Sequence, residues 1–404
     1  MMKNKNLFII LFLLVFLFLA GCSGGGIPTT PTDPIHNLTK GIYYATIQDA
    51  LDDADNDNTI EVSDGTYDES IYFSPGKKII LRSVNGPSST IIRGADYEYT
   101  VNLESSLAVT TIEGFTITHA PFQYGGGIYN DLVSSLIINH CIIFGNNNGD
   151  YGGGIHNRGI ITLKGGSTAS DNFTSYGGGG IYNFGTLTIT GASSISSNTA
   201  YESGGGIQNS ETLTITGVST VSDNYSNFCG GGIDNSGELT VTGESTISGN
   251  TADYGGGIEN TGTLTINGAS IISDNNADVG GGIRTEGGSS LNMTASTIWG
   301  NSADSNGGGI YMVPGGNPGA PVIGGSSADL KNTICGNFLS GNSPSLDQQI
   351  RDSSGDLYNI CKLNNNITTY CIGRKCYHIP LCECSLSTNK KVMKMIQQRE
   401  SANN

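Results

Sequence analysis

Asp234, Glu259 and Arg284 stand 25 residues apart, each directly after the isoleucine of a Gly-Gly-Gly-Ile run. If those runs stack as neighbouring strands, about 4.8 Å separates one side chain from the next. Two carboxylates at that distance can share a cation, and with the guanidinium next in line the three form a candidate site. It also reads as a plain cross-strand group of charges on an exposed row. The whole row is Tyr129, His156, Tyr182, Gln208, Asp234, Glu259, Arg284 and Tyr311. A second carboxylate set, Asp53, Asp55 and Asp57, sits at alternate positions ahead of Asp64, in the manner of a calcium loop. It lacks the central glycine and has Asp64 where a bidentate Glu is usual, so a solvated turn is the plainer reading. Calcium is the one ion these carboxylates suggest; no other cofactor is expected.

Three further groups bear on chemistry. Tyr124, Tyr151, Tyr176 and Tyr254 precede glycine runs, where their rings can stack on sugars if they share one exposed edge. Threonines recur in columns: Thr186, Thr212, Thr263; Thr162, Thr188, Thr214, Thr240, Thr265; and Thr190, Thr216, Thr242. Flat threonine arrays on β-helices resemble ice-binding faces, but Glu238 interrupts the first column, and β-branched threonine is favoured on any strand surface. Cys361, Cys371, Cys376, Cys382 and Cys384 crowd the tail and suggest disulfides whose pairing the sequence leaves open. No His and Cys spacing matches a zinc site.

The elements that position these residues come from one repeat. Gly-Gly-Gly-Ile begins at Gly125, Gly152, Gly178, Gly204, Gly230, Gly255, Gly280 and Gly307, a period of 25 to 27 residues that marks a solenoid. The unit from Gly178 to Asn198 contains three short stretches of alternating apolar and small polar residues, each read as a strand with one buried face. Ile181, Leu187, Ile189 and Ile195 are predicted to point inward, and the threonines outward. No single coil closes a core, but stacked coils do. A leucine-rich horseshoe would need Leu-x-x-Leu-x-Leu, which is absent, and propeller blades use about 40 residues or more. The prediction is an all-β, right-handed parallel β-helix. Two asparagine columns, Asn130 to Asn260 after the glycines and Asn146 to Asn337 at the third strand, are expected to hydrogen-bond from coil to coil. An amphipathic helix over Ala45–Ala54 would cover the open end of the core.

The stretch from Thr46 to Gly94 resembles the opening of many pectate-lyase-like β-helices. The Gly-Gly-Gly-Ile and Ile-x-x-Asn pairs are similar to the Gly-Gly-Ala-Ile and Phe-x-x-Asn repeats of polymorphic outer membrane proteins of the chlamydial type. Here the third position is Gly rather than Ala, and Ile, Val or Ala replaces Phe. The resemblance spans about residues 45 to 340 and implies the fold; it implies adhesion more loosely. Polysaccharide lyases of the same fold class place carboxylates on adjacent coils around a cation with an arginine as base, which is what gives Asp234, Glu259 and Arg284 their interest.

The ends complete the organisation. Lys3 and Lys5 precede an apolar run from Leu7 to Ala20, and Leu19-Ala20-Gly21-Cys22 resembles the bacterial lipobox, which implies cleavage before Cys22 and a lipid on it. Ser23 in place of an acidic residue resembles outer-membrane sorting. The expected divisions are a signal peptide at 1–21, a flexible tether at 22–39, a cap at 40–58, the β-helix at 59–340 and a cysteine-containing tail at 341–404. The net charge of −16 argues against nucleic acid, which requires a basic face. These readings together imply a lipid-anchored envelope or cell-surface protein that binds a polysaccharide or another cell's surface without catalysis. The rival is a lyase or hydrolase acting on acidic polysaccharide.

Overall fold

The computed structural model describes residues 34–94, 99–104, 108–119 and 125–313, with the backbone of short strands as far as His378. These residues form a parallel β-solenoid. In the coil that starts at Gly178 the strands are Ile181–Asn183, Thr186–Ile189, Ser194–Ser196 and Thr199–Ala200, which belong to the first, second, third and fourth sheets respectively. Each pairs in register with its counterparts in the coils above and below; Ile181, for example, lies between Ile155 and Ile207. Ile181, Leu187, Ile189 and Ile195 are fully buried, as the alternation predicts, and stack on their equivalents in one continuous apolar core. Burying such side chains contributes about 1.5–3 kcal/mol each.

The sequence predicts three strands per coil, and the structure has four. The added strand is two to five residues long, as in Thr199–Ala200 and Ser302–Asn306, too short for an alternating pattern to show. Among the described residues it first appears at Asn147–Asn148.

The glycine triplet is set by contact between coils. A Cβ on Gly179 would lie 2.4 Å from the carbonyl oxygen of Gly205, and one on Gly180 would lie 2.7 Å from that of Gly206. A side chain there would push apart backbones that the sheet holds in register. This is why the second and third positions of the run are Gly. Both expected asparagine columns are buried ladders. Asn157 Nδ2 donates to Asn183 Oδ1 at 2.7 Å, and Asn183 to Asn209 at 2.7 Å. In the other column Asn172 donates to Asn198, and Asn198 to Asn224, at 2.9 Å. Asn337 lies outside the described residues.

At the amino-terminal end the helix runs Ile47–Asp52, shorter than its amphipathic pattern. Thr46 caps it by accepting from the Asp49 amide, and Ile47, Ala50 and Leu51 join the end of the core. Ile35–Asn37 pairs antiparallel with both Ile42–Tyr44 and Asn58–Val62. Ile35–Asn37, assigned to the tether from sequence, is therefore part of the folded body, because it covers the first edge of the second sheet.

Candidate functional site

The row on the outer face of the first sheet is assembled as the spacing predicts: Tyr129, His156, Tyr182, Gln208, Asp234, Glu259, Arg284 and Tyr311 are successive partners. Its exposure is not as predicted. The turn that follows the fourth sheet folds over the row, so that from Tyr151 to Tyr254 the residue before the glycine triplet meets the row residue of the next coil. Tyr151 lies against Tyr182, with ring centroids 4.7 Å apart. A Cβ on Gly177 would fall 1.8 Å from Gln208 Oε1, so only glycine leaves that amide its place. The Ser203 hydroxyl hydrogen-bonds to the Asp234 carboxylate, Cys229 feels the charge of Glu259 through space, and the Arg284 guanidinium sits 5.1 Å from the ring centre of Tyr254. Gly177, Ser203, Cys229 and Tyr254 are themselves bridged in sequence order, which holds the cover in step with the row.

The row divides into two halves. In the first, Tyr129, His156 and Tyr182 meet edge to face at 5.3 and 5.0 Å, with Tyr99 packed on Tyr129 at 5.4 Å. The Tyr99 hydroxyl accepts from Asn148 Nδ2 at 2.7 Å and lies 3.1 Å from His156 Nδ1. Burial, helped by Arg158 nearby, pushes His156 down to about 4, so the ring is neutral near pH 7. Arg158 donates to the Tyr129 hydroxyl at 3.1 Å and pairs with Asp131.

In the second half, Glu259 is only 2% exposed, a correction to its expected place on an open surface. Burial pushes it up to about 8, against the pull of Arg284, and pushes Asp234 up to about 6. One Glu259 oxygen meets Arg284 Nη1; the other, Oε2, has no hydrogen-bond partner. Arg284 also pairs with Glu286 at 3.0 Å. Cys229 is raised to about 12, first by burial and then by Glu259 and Asp234, which makes it a poor nucleophile. The arginine is committed to two carboxylates and to a ring, and Glu259 keeps its proton near pH 7. Among the described residues no three His, Cys, Asp or Glu side chains converge as a metal site. The Asp53, Asp55 and Asp57 set is likewise not a cage: Lys40 pairs with Asp53 and Asp55, each at 3.0 Å, and Lys78 pairs with Asp57 at 2.8 Å.

The covering turn also carries an exposed aromatic strip. Its backbone forms a ladder in which Tyr176 donates to Asp150, Glu202 to Tyr176, Phe228 to Glu202 and Tyr254 to Phe228. Tyr151, Tyr176, Tyr201, Phe228 and Tyr254 are all exposed there, Tyr201 the most at 58%. Phe173 and Tyr225, exposed on the adjoining fourth-sheet strands, widen the strip. Tyr151, Tyr176 and Tyr254 were legible from their places before the glycine runs; Tyr124 lies outside the described residues. Tyr201, Phe228, Phe173, Tyr225 and Tyr99 were not found; the fourth strand that carries Phe173 and Tyr225 was not recognised. The threonine columns of the second sheet are in register, with Glu238 between Thr212 and Thr263. Cys22 and the tail cysteines lie outside the described side chains.

Compared with protein-family models, curated proteins and solved structures, the chain matches none.

Proposed function

We propose that this chain is an exported, lipid-anchored surface protein whose solenoid binds an extended glycan, free or on another cell, without catalysis. The observation that carries the reading is the continuous exposed aromatic strip from Tyr151 to Tyr254. Such rings offer large contact faces, and a strip fixed by backbone hydrogen bonds loses little conformational freedom on binding. The lipobox-like Leu19-Ala20-Gly21-Cys22 supports the anchor, with the outer membrane or cell surface as the location. A glycan array tests the binding: the soluble body should retain defined glycans, and Tyr176→Ala with Phe228→Ala should abolish retention while leaving the melting temperature unchanged. Labelling with a palmitate analogue tests the anchor, since the label should be lost in Cys22→Ala.

The register of Asp234, Glu259 and Arg284 favours the second reading, a polysaccharide lyase using calcium. Against it stands Arg284, held by Glu259 and Glu286 and so ill placed to lose a proton. A calcium-dependent rise in melting temperature that disappears in Asp234→Asn with Glu259→Gln would place the lyase ahead of the binding protein.

A further inference from the structure

We propose, resting on the glycan-binding reading above, that the ligand of the aromatic strip is an uncharged polysaccharide and that the strip excludes acidic ones. Over the first four rungs of the backbone ladder carboxylates and rings alternate, Asp150, Tyr176, Glu202 and Phe228, before a second ring, Tyr254, follows Phe228. Asp150 and Glu202 are exposed, as are Asp253, Asp278 and Asp304 further along. Tyr176 and Phe228 are thus two coils apart, about 10 Å, a spacing of the order of an extended disaccharide. Rings at that interval can stack on the apolar faces of alternate sugars, and the carboxylates between them can accept hydrogen bonds from sugar hydroxyls.

A polyanion meets no counter-charge here. Residues 125–313 contain fifteen acidic side chains against three basic ones. Of the three, Arg158 is engaged by Tyr129 and Asp131, and Arg284 by Glu259 and Glu286. Lys164 lies on the second sheet, beside Asn139. The charge on the strip shows in Asp278, raised by burial and then by Asp253 and Asp304. Acidic chains of otherwise suitable shape are therefore repelled, most strongly at low salt.

The experiment titrates the soluble body with β-linked oligomers of glucose, glucosamine and glucuronic acid of equal length, at low and high salt. The glucose oligomer should bind at both salt concentrations and weaken at least tenfold in Tyr176→Ala with Phe228→Ala. The glucuronate oligomer should not bind, and should gain measurable binding in Asp150→Asn with Glu202→Gln. Glucuronate binding as tight as glucose, and sensitive to the aromatic pair, would keep the glycan platform and overturn the charge selection. Glucosamine binding that vanishes at high salt and ignores the aromatic pair, with no glucose binding, would also overturn the proposal, because carboxylates alone would then be the site. Failure of all three oligomers, with aromatic-dependent binding to phosphatidylcholine vesicles or to a second copy of the chain, would overturn the glycan reading itself.

Discussion

From Tyr129 to Tyr182 the covered row of the first sheet is filled by rings, and beyond the neutral amide of Gln208 it is filled from Asp234 to Arg284 by ionisable groups, yet both halves share one backbone register. What differs is the response to protons. His156 in the ring half is held neutral by burial, with its pKa lowered to about 4. Glu259 in the polar half is held protonated by burial, with its pKa raised to about 8. The unfolded chain binds a proton at His156 more readily than the folded one, so the ring half loses stability as pH falls from about 6.5 towards 4. For Glu259 the folded chain binds the proton more tightly, so the polar half loses stability as pH rises from about 4.5 towards 8. Burying a titratable group on the same scaffold thus produces opposite pH dependence according to the charge type of its ionised form.

The largest effect is expected where the halves meet. Ile207→Asp places a carboxylate in the core beneath Gln208 and should cost several kcal/mol, seen as a large drop in melting temperature. A drop no larger than that of Gln208→Asp would mean that inward and outward faces have been exchanged. Next comes Glu259→Gln, which removes the alkaline loss. Relative to wild type it should gain stability steadily between pH 5 and pH 8, on the order of a few kcal/mol in all. A difference between the two melting curves that does not change with pH would place the titration elsewhere. His156→Phe should do the converse and flatten the acid limb below pH 6.5. If that limb is as steep in the variant as in wild type, the ring half is not its source. The smallest effect lies outside the row and serves as a control common to both halves. Val218 has φ 58°, which a β-branched residue adopts only at a cost, so Val218→Gly should stabilise by about 1 kcal/mol at every pH.

The inward face was legible because Ile181, Leu187, Ile189 and Ile195 alternate with small polar residues inside a unit that repeats every 25 to 27 residues without the leucine-rich motif. The asparagine ladders were legible because amides at one corner of a stack have each other as partners. The burial of Glu259 was not, since no alternation announces the course of the turn that carries Cys229 one coil earlier. The same gap hid Tyr201 and Phe228, which lie in that turn beyond the two-residue strands. Nor could spacing reveal that Lys40 would stand between Asp53 and Asp55, because that pairing follows from the antiparallel hairpin at the edge of the second sheet.

Each asparagine ladder runs one way: every side-chain amide donates towards the carboxy-terminal coil, so each rung presents an acceptor behind and a donor ahead. The first acceptors, Asn130 Oδ1 and Asn146 Oδ1, are left without partners, and the first ladder is closed at its other end by Asn260 donating to Thr285 Oγ1 at 3.1 Å. An interior rung is therefore interchangeable with any other, and only the ends are particular. A whole coil can be duplicated or deleted in the middle without creating a new unmatched amide, lengthening or shortening the molecule by about 4.8 Å. The sequence thus behaves as an adjustable ruler, in which the reach of the exposed strip is set by copy number while the chemistry of both termini stays fixed.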